Sequence, residues 1–551
     1  MNPFERLWGL VSSYKADISA IYFYAILSGL VQLTVPMGVQ AIIGFVIAAS
    51  MVTSTYILIM LVVIGVGAVG LMQINQMKII ERVQQNIFTE HAFEYAEKVP
   101  RFDLIKSDSF YLPEKINTFF ETLNIQKGLS KILLDVPLAS IQIIFGLILL
   151  SLYHPVFILF GMILLFILWL ILYLTAKRGI KTSFEQSTLK YSVVVWLEEI
   201  ARAIKSFKFT QGTHLNLHKV DERVGSYLDA RTDHFKILLI QYKTLVIFKV
   251  VITTLMLTAG VYLLLTQKLN IGEFVATEIV ILTIITAVEK LIGSLDSIYD
   301  VVTGLEKISL ITEFPLEKSG SLQLSEDNNG LSFSFKDVSF SYPDGKEIFD
   351  RINVDLPTNT LMCIKSNQGS GKTTFLKLLT GNYTNFTGSL LLNNYPIQHY
   401  KTESVRSKIG IYFNQQEIFS ATVMENITMG RKDISEEDIW ELANKLGFSN
   451  AINQLELGLY SLLDPTGKKL SGSLVRYILL LRAFANKPKL LLLEDPFLGL
   501  SVQHIETLKA YLLEISGNCT ILVSTNDSEL QKTAPYLLEI TKNKVELLKN
   551  A

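Results

Sequence analysis

The sequence predicts an α-helical membrane domain of six transmembrane helices fused to a P-loop α/β domain. Three observations point there. Uncharged runs long enough to cross a bilayer fill much of the first 311 residues, hydropathy collapses after Ile311, and an apolar strand then runs into a glycine-rich loop carrying lysine and threonine.

The 551-residue chain has a formal net charge of −1 and a positive mean hydropathy. That combination fits a protein whose apolar surplus lies in lipid. It argues against a surface built to grip a polyanion, so membrane lipids are expected neighbours and nucleic acid is not an expected partner. Cys363 and Cys519 stand far apart and far from any Cys/His cluster, which gives no reason to expect a disulfide framework or a zinc site. The opening MNPFERLWGLVSSYKAD is mixed in charge. The first apolar stretch is also much longer than the apolar region of a cleavable signal, so it is expected to stay in the mature protein.

Ile18 to Met77 contains no charged residue, enough for two crossings at about 20 residues each. Small and polar residues from Ala48 to Thr55 mark the break. Val136 to Ala176 is a second hairpin, turning at Tyr153-His154-Pro155, where proline disfavours a continuing helix. A third hairpin pairs the clean run Val250–Gln267 with a return leg carrying Glu273, Glu278, Glu289 and Lys290. The membrane domain is thus assigned to residues 1–311, with spans at 18–48, 55–77, 133–153, 155–176, 243–267 and 272–295. Glu273 and Lys243 fall at span ends. Glu278, Lys249, Glu289 and Lys290 lie deeper, and either line a watery cavity or form ion pairs between neighbouring helices.

Lysine and arginine concentrate in Lys78–Lys131 and Lys177–Lys236, whereas the three tight turns, near Met51, His154 and Lys268, hold only Lys268. The positive-inside rule therefore places the long connections and both termini in the cytosol, with the turns outside. The expected location is the plasma membrane, the inner one in a bacterium. Each long connection exceeds fifty residues and reads as helical extensions of the spans.

Residues 312–330 have the proline, glycine, serine and charge content of a linker, and a new domain is assigned to 331–551. It opens with period-two alternation through Phe333, Phe335, Val338, Phe340 and Tyr342, then mixes short strands with amphipathic helices. Strand LMCIK, Leu361 to Lys365, leads into SNQGSGKTT and a helical FLKLLTG. A phosphate-binding loop needs glycines that turn backbone N–H groups inward, a lysine for the β/γ-phosphates and a hydroxyl for Mg²⁺. Gly369, Gly371, Lys372 and Thr373 supply these, Ser370 sits between the glycines, and Thr374 is a further donor. Ser366 takes the place of the usual first glycine and fits only with a negative φ.

With the P-loop NTPase class in hand, further motifs make the whole chain resemble the ATP-binding cassette (ABC) exporters. LSGSL, Leu470 to Leu474, is similar to the family's signature, and LLLLEDPFLGLS, Leu490 to Ser501, stands where the family has its magnesium-site strand and catalytic acid. Tyr342 matches the aromatic that stacks on adenine, and Ile411 to Ile427 resembles the glutamine loop. The resemblance implies ATP and Mg²⁺ as cofactors. ATP would lie between two such domains, the P-loop of one facing Ser471 and Gly472 of the other. It also implies transport by alternating access of a dimer with a second half-transporter, identical or different. LNIGEFVATEIV looks most like the type I secretion and bacteriocin-export branch, for which a periplasmic adaptor and an outer-membrane channel would be further partners.

The sequence departs from the family pattern at several positions. Ser473 and Leu474 replace a glycine and a glutamine of the signature. Glu494 stands for the usual magnesium-site aspartate and Asp495 for the catalytic glutamate, so the two acids are exchanged; Asp495 is one methylene short for polarising water. Asn526 takes the switch-histidine position and cannot carry charge. Counting back from Glu425-Asn426-Ile427 puts Asn414 at the sensor glutamine, and a one-residue deletion restores Gln415, the residue assigned here to the catalytic and metal sites. These changes support nucleotide binding better than hydrolysis. The expected function is an ATP-driven exporter of a peptide, a protein or a hydrophobic molecule; the alternative is a slow or non-hydrolysing subunit that gates or scaffolds a larger export complex.

Overall fold

A computed structural model describes residues 3–48, 53–108, 110–210, 212–325, 330–367, 369–413, 416–464, 470–541 and 544–550. The chain divides into two compact units, Met1–Pro100 with Tyr111–Phe314, and Arg101–Phe110 with Pro315–Ala551.

The first unit holds six helices long and apolar enough to cross a membrane: Lys15–Ile47, Thr53–Arg101, Leu112–Tyr153, Val156–Arg202, Leu215–Leu265 and Ile271–Thr312. Ile57, Leu61, Val63 and Ile64 on the second of them point outward and are well exposed. So continuous an apolar exterior belongs against lipid, and helices satisfy their own backbone there. Thr53–Lys98 runs unbroken for 46 residues, about 69 Å at 1.5 Å per residue, whereas the hydrocarbon core is about 30 Å thick. This helix is therefore longer than one crossing requires. Pro155 ends the turn after Tyr153 and opens the helix Val156–Arg202.

Inside this unit the helices approach closely where one side is small. A Cβ on Gly179 would lie 2.4 Å from the Tyr299 ring, so glycine there admits Tyr299, which is almost fully buried. Gln241 Nε2 donates to Thr175 Oγ1 at 2.7 Å and to the Tyr299 hydroxyl at 2.8 Å, satisfying a buried amide. Of the deep charges, Lys249 and Glu289 pair across neighbouring helices, so that pair takes the ion-pair alternative. Glu273 forms a capping box with Asn270: the Asn270 side chain accepts from the Glu273 N–H at 2.8 Å, and the Glu273 carboxylate accepts from the Asn270 N–H at 2.8 Å.

The second unit contains two sheets. The strands are β1 (Phe333–Ser341), β2 (Glu347–Leu356), β3 (Leu361–Ser366), β4 (Thr387–Leu392), β5 (Tyr395–Pro396), β6 (Ile409–Tyr412), β7 (Leu490–Glu494), β8 (Thr520–Ser524), β9 (Tyr536–Thr541) and β10 (Lys544–Lys549). An antiparallel sheet runs β2-β1-β4-β5, and a six-stranded sheet runs β10-β9-β3-β8-β7-β6. β3, β6, β7, β8 and β9 are parallel to their neighbours in it, while β10 runs antiparallel to β9. Covering both faces of a parallel sheet demands unbroken apolar runs, which Leu490–Leu493 and Ile521–Val523 supply, all fully buried.

Segment Arg101–Phe110 belongs to this unit although the sequence assigns it to the membrane half. The Asp103 N–H donates to Pro315 O at 3.1 Å, and the Glu317 N–H donates to Arg101 O at 2.9 Å. Ile105 packs into the same core as Phe333, Phe375 and Tyr383.

Candidate functional site

In an open parallel sheet the carboxyl ends of the strands frame a crevice, and β3, β8 and β7 lie side by side here. The loop after β3, the acids at the end of β7 and the polar residues after β8 therefore meet. Ser366 closes β3 in extended conformation with negative φ, the condition the sequence set for it. The chain then turns through Gly369 (φ 77°) and Gly371 (φ 94°) into the helix Lys372–Leu379. At Gly371 a Cβ would also lie 2.6 Å from Ile348 Cγ2 and 2.9 Å from Phe349 Cζ, so conformation and space both demand glycine.

The loop lines a cavity of about 610 Å³ together with Asp495, Ser524 and Asn526, and with Tyr342, Lys346 and Ile348 along one wall. Lys372 Nζ pairs with Asp495 Oδ2 at 2.6 Å. Thr373 Oγ1 donates to the Glu494 carboxylate. The two exchanged acids thus address different partners: the longer reaches the hydroxyl and the shorter holds the lysine. Asp495 adopts φ 48°, a left-handed conformation that aspartate tolerates better than most residues, and its N–H donates to Ser524 O at 2.8 Å. The Tyr342 hydroxyl bonds Thr374 Oγ1 at 2.9 Å.

Among the described residues the Ser370 hydroxyl, buried in the loop, has no hydrogen-bond partner. A buried unpaired hydroxyl is costly, and here it sits beside inward-turning backbone, the arrangement that receives a phosphate. Thr373 and Glu494 suit Mg²⁺, which takes a hydroxyl and one or two carboxylates and completes its shell with phosphate and water. Among the described residues no group of three or more His, Cys, Asp or Glu could hold a metal by itself.

Of the residues singled out by sequence, Tyr342, Ser366, Gly369, Ser370, Gly371, Lys372, Thr373, Thr374, Asp495 and Asn526 line this one cavity, with Glu494 reaching its edge through Thr373. Ser471 and Gly472 do not. Ser471 caps the helix Gly472–Ala485, its Oγ accepting from the Leu474 N–H at 3.2 Å and lying 3.0 Å from Ser473 Oγ. Asn414 and Gln415 lie outside the described residues. Sequence reasoning missed the wall residues Lys346 and Ile348 and the contact between Lys372 and Asp495. It did hold one signal for the wall, since the alternation of β1 returns along β2.

The ABC transporter family profile matches residues 349–498, which contain the loop, the signature and both acids. That stretch is an ABC transporter domain. Over 280 residues it is 24% identical to the alpha-hemolysin translocation ATP-binding protein HlyB of Escherichia coli O157:H7, covering 51% of this chain and 40% of that protein. Over 229 residues it is 30% identical to the glutathione/L-cysteine transport system ATP-binding/permease protein CydC of Haemophilus influenzae, covering 41% and 40%. The chain spans about half or less of the length of the curated relatives it matches, 52% for YwjA of Bacillus subtilis. In fold it matches a solved bacterial Atm1-family ABC exporter with ATP bound, at a TM-score of 0.87 and 16% identity, over 98% of this chain and 96% of that one. The predicted fold class, six helices followed by an α/β nucleotide-binding domain, is therefore the observed one.

Proposed function

We propose that this chain is an ATP-driven half-exporter. In this reading Gly369, Ser370, Gly371, Lys372, Thr373 and Thr374 hold the phosphates, Tyr342 stacks on adenine, and Glu494 with Thr373 holds Mg²⁺, joined by Gln415. The observation that carries it is the buried, unpartnered Ser370 hydroxyl in a loop where Lys372 and Thr373 face two carboxylates. Mg²⁺, when bound, would screen phosphate charge and orient the leaving group. Asp495 acts as base toward water once Lys372 turns to phosphate, and Asn526 donates a neutral hydrogen bond. Because Ser471 and Gly472 do not line this cavity, a second copy or a related half-transporter supplies them, and the paired domains drive alternating access. Nucleotide binding and phosphate release by the reconstituted protein test the reading; failure to bind ATP overturns it.

Tyr342→Ala is expected to weaken ATP binding by about 1–2 kcal/mol, the size of a lost stacking contact. Equilibrium titration measures it, and an unchanged affinity would remove Tyr342 from the adenine site.

The orientation proposed has both termini and the ATP-binding unit in the cytosol of a plasma or inner membrane. Cys363 and Cys519 are buried and desolvation pushes both thiols up to about 12, so introduced cysteines report alone. An impermeant maleimide on intact cells is expected to label Lys268→Cys and to spare Lys205→Cys; the reverse pattern inverts the topology.

A second reading, a subunit that binds ATP but hydrolyses it slowly and gates or scaffolds a larger complex, is favoured by one observation. Asp495 is engaged by Lys372 at 2.6 Å and carries a short side chain on a left-handed backbone. The cargo class of peptide, protein or hydrophobic small molecule, and an adaptor with an outer-membrane channel, belong to the proposal by way of the secretion-branch likeness.

A further inference from the structure

The helices Leu215–Leu265 and Ile271–Gly293 fold back on each other across the turn at Lys268. Deep in this pair Lys249 meets Glu289. About three helical turns nearer the turn, the positions that correspond to Lys249 and Glu289 are Gly260 and Glu278. A Cβ on Gly260 would lie 2.7 Å from the Phe274 ring, so the helices close there and position 260 offers no side chain to the carboxyl. Glu278 is exposed, and among the described residues no hydrogen bond or ion pair engages it. Between the two helices lies a cavity of about 40 Å³, walled by Met256, Leu257, Ile281 and Leu282 and reached by Thr277 and Glu278. Thr277 is only 3% exposed, and among the described residues its hydroxyl has no hydrogen-bond partner. Thr283 and Thr286 on the same helix, and Thr254 and Thr258 on the facing one, each donate to the carbonyl four residues back, the usual outlet for a helical threonine. Thr277 does not take it.

We propose that Thr277 and Glu278 bind the ammonium head of a small amphipathic amine, whose apolar body lies along Leu257 and Leu282; its role as cargo rests on the half-exporter reading. Both residues belong to a helix long and apolar enough to cross a membrane, where an ionisable side chain is costly and marks a site. Glu289 is neutralised by Lys249 from the facing helix. Glu278 has no such neighbour, because glycine stands where that cation would be, so the matching charge comes from outside the chain. An ammonium carries three donors and no acceptor, and it finds acceptors in the carboxyl and hydroxyl oxygens. A cavity of about 40 Å³ admits a head of that size, since one water needs about 10–15 Å³, and turns away a bulky one. Leu257 and Leu282 are exposed beside it and extend the apolar wall for the tail.

Decylamine is the probe, titrated to equilibrium against the full-length protein in lipid nanodiscs, with empty nanodiscs subtracted to remove partitioning into lipid. The parent is expected to show saturable binding that decanol, of the same chain length and without charge, does not compete away. Glu278→Gln is expected to weaken that binding more than tenfold. Thr277→Val keeps the shape of the side chain and is expected to weaken it about tenfold, the loss of one hydrogen bond to a charged group. Parental affinity in either variant overturns the site, as does competition by decanol. Absence of saturable binding in the parent overturns it too and leaves the cavity to water. Should Glu278→Gln not fold, Thr277→Val and the contrast between decylamine and decanol on the parent decide the matter. This binding requires no nucleotide, so a protein that takes decylamine but not ATP overturns the half-exporter reading, and with it the cargo role, while the amine site stands.

Discussion

Lys372→Ala is expected to abolish measurable ATP binding. The lysine sits at the head of the loop, and Lys372 and Ser370 both line the cavity. Hydrogen bonds to charged groups contribute about 1.5–3 kcal/mol, and each 1.4 kcal/mol is about a tenfold change in affinity, so losing the cation alone costs roughly one to two orders of magnitude. A second effect adds to the first. Asp495 now pairs with Lys372 at 2.6 Å, and without the lysine its carboxylate would confront incoming phosphates unscreened, a like-charge contact in a partly dry pocket. Calorimetry or a fluorescent nucleotide titration on the purified protein measures the loss, with thermal melting to confirm that the variant is folded. Parental affinity in Lys372→Ala would remove the loop from nucleotide binding.

Restoring the family's acids and switch histidine is expected to raise ATP turnover about ten- to a hundredfold, because misplacing a reacting group by about 1 Å costs up to a hundredfold in rate. The construction is Glu494→Asp with Asp495→Glu and Asn526→His. A glutamate at position 495 returns the missing methylene, an aspartate at 494 clears the space beside Thr373, and a histidine at 526 brings a group that can carry a proton. The structure adds a constraint invisible in the sequence. Position 495 has φ 48°, where glutamate is less at ease than aspartate, so stability should fall by about 1 kcal/mol as turnover rises. Affinity for ATP should change little, and the single substitutions should give less than the combination, because the groups act on one water and one phosphate. Steady-state phosphate release from proteoliposomes, compared with the parent, decides it. A combined variant no faster than the parent would move the limitation to Ser473 and Leu474 of the signature or to a missing partner.

What the sequence determined is local in the chain. A span announces itself through about 20 consecutive apolar residues, and the P-loop through one strand, nine loop residues and one helix turn, so Ser366 to Thr374 could be named before any tertiary contact was known. The turn at His154 and the long extensions were legible for the same reason: proline and lysine placement act on their own neighbourhood. The end of the membrane half was less so. Composition placed a linker at 312–330 after one continuous domain, whereas the compact units exchange Arg101–Phe110, because hydrogen bonds from Asp103 to Pro315 and from Glu317 to Arg101 join stretches about two hundred residues apart. Neither stretch is marked by any periodicity.

Tertiary structure alone decided which acid meets which partner. The order Glu494-Asp495 is plain in the sequence, but that Glu494 reaches Thr373 while Asp495 engages Lys372 follows from the parallel register of β3, β8 and β7 and from the left-handed backbone at 495. The same holds for the hydrogen bond from the Tyr383 hydroxyl to Asp108, separated by 275 positions, and for the choice of Lys249 and Glu289 to pair across helices. Residue chemistry and spacing fix what a segment can do by itself. Contacts between distant segments depend on how sheets and helices stack, a many-body outcome of packing that no short window of sequence contains.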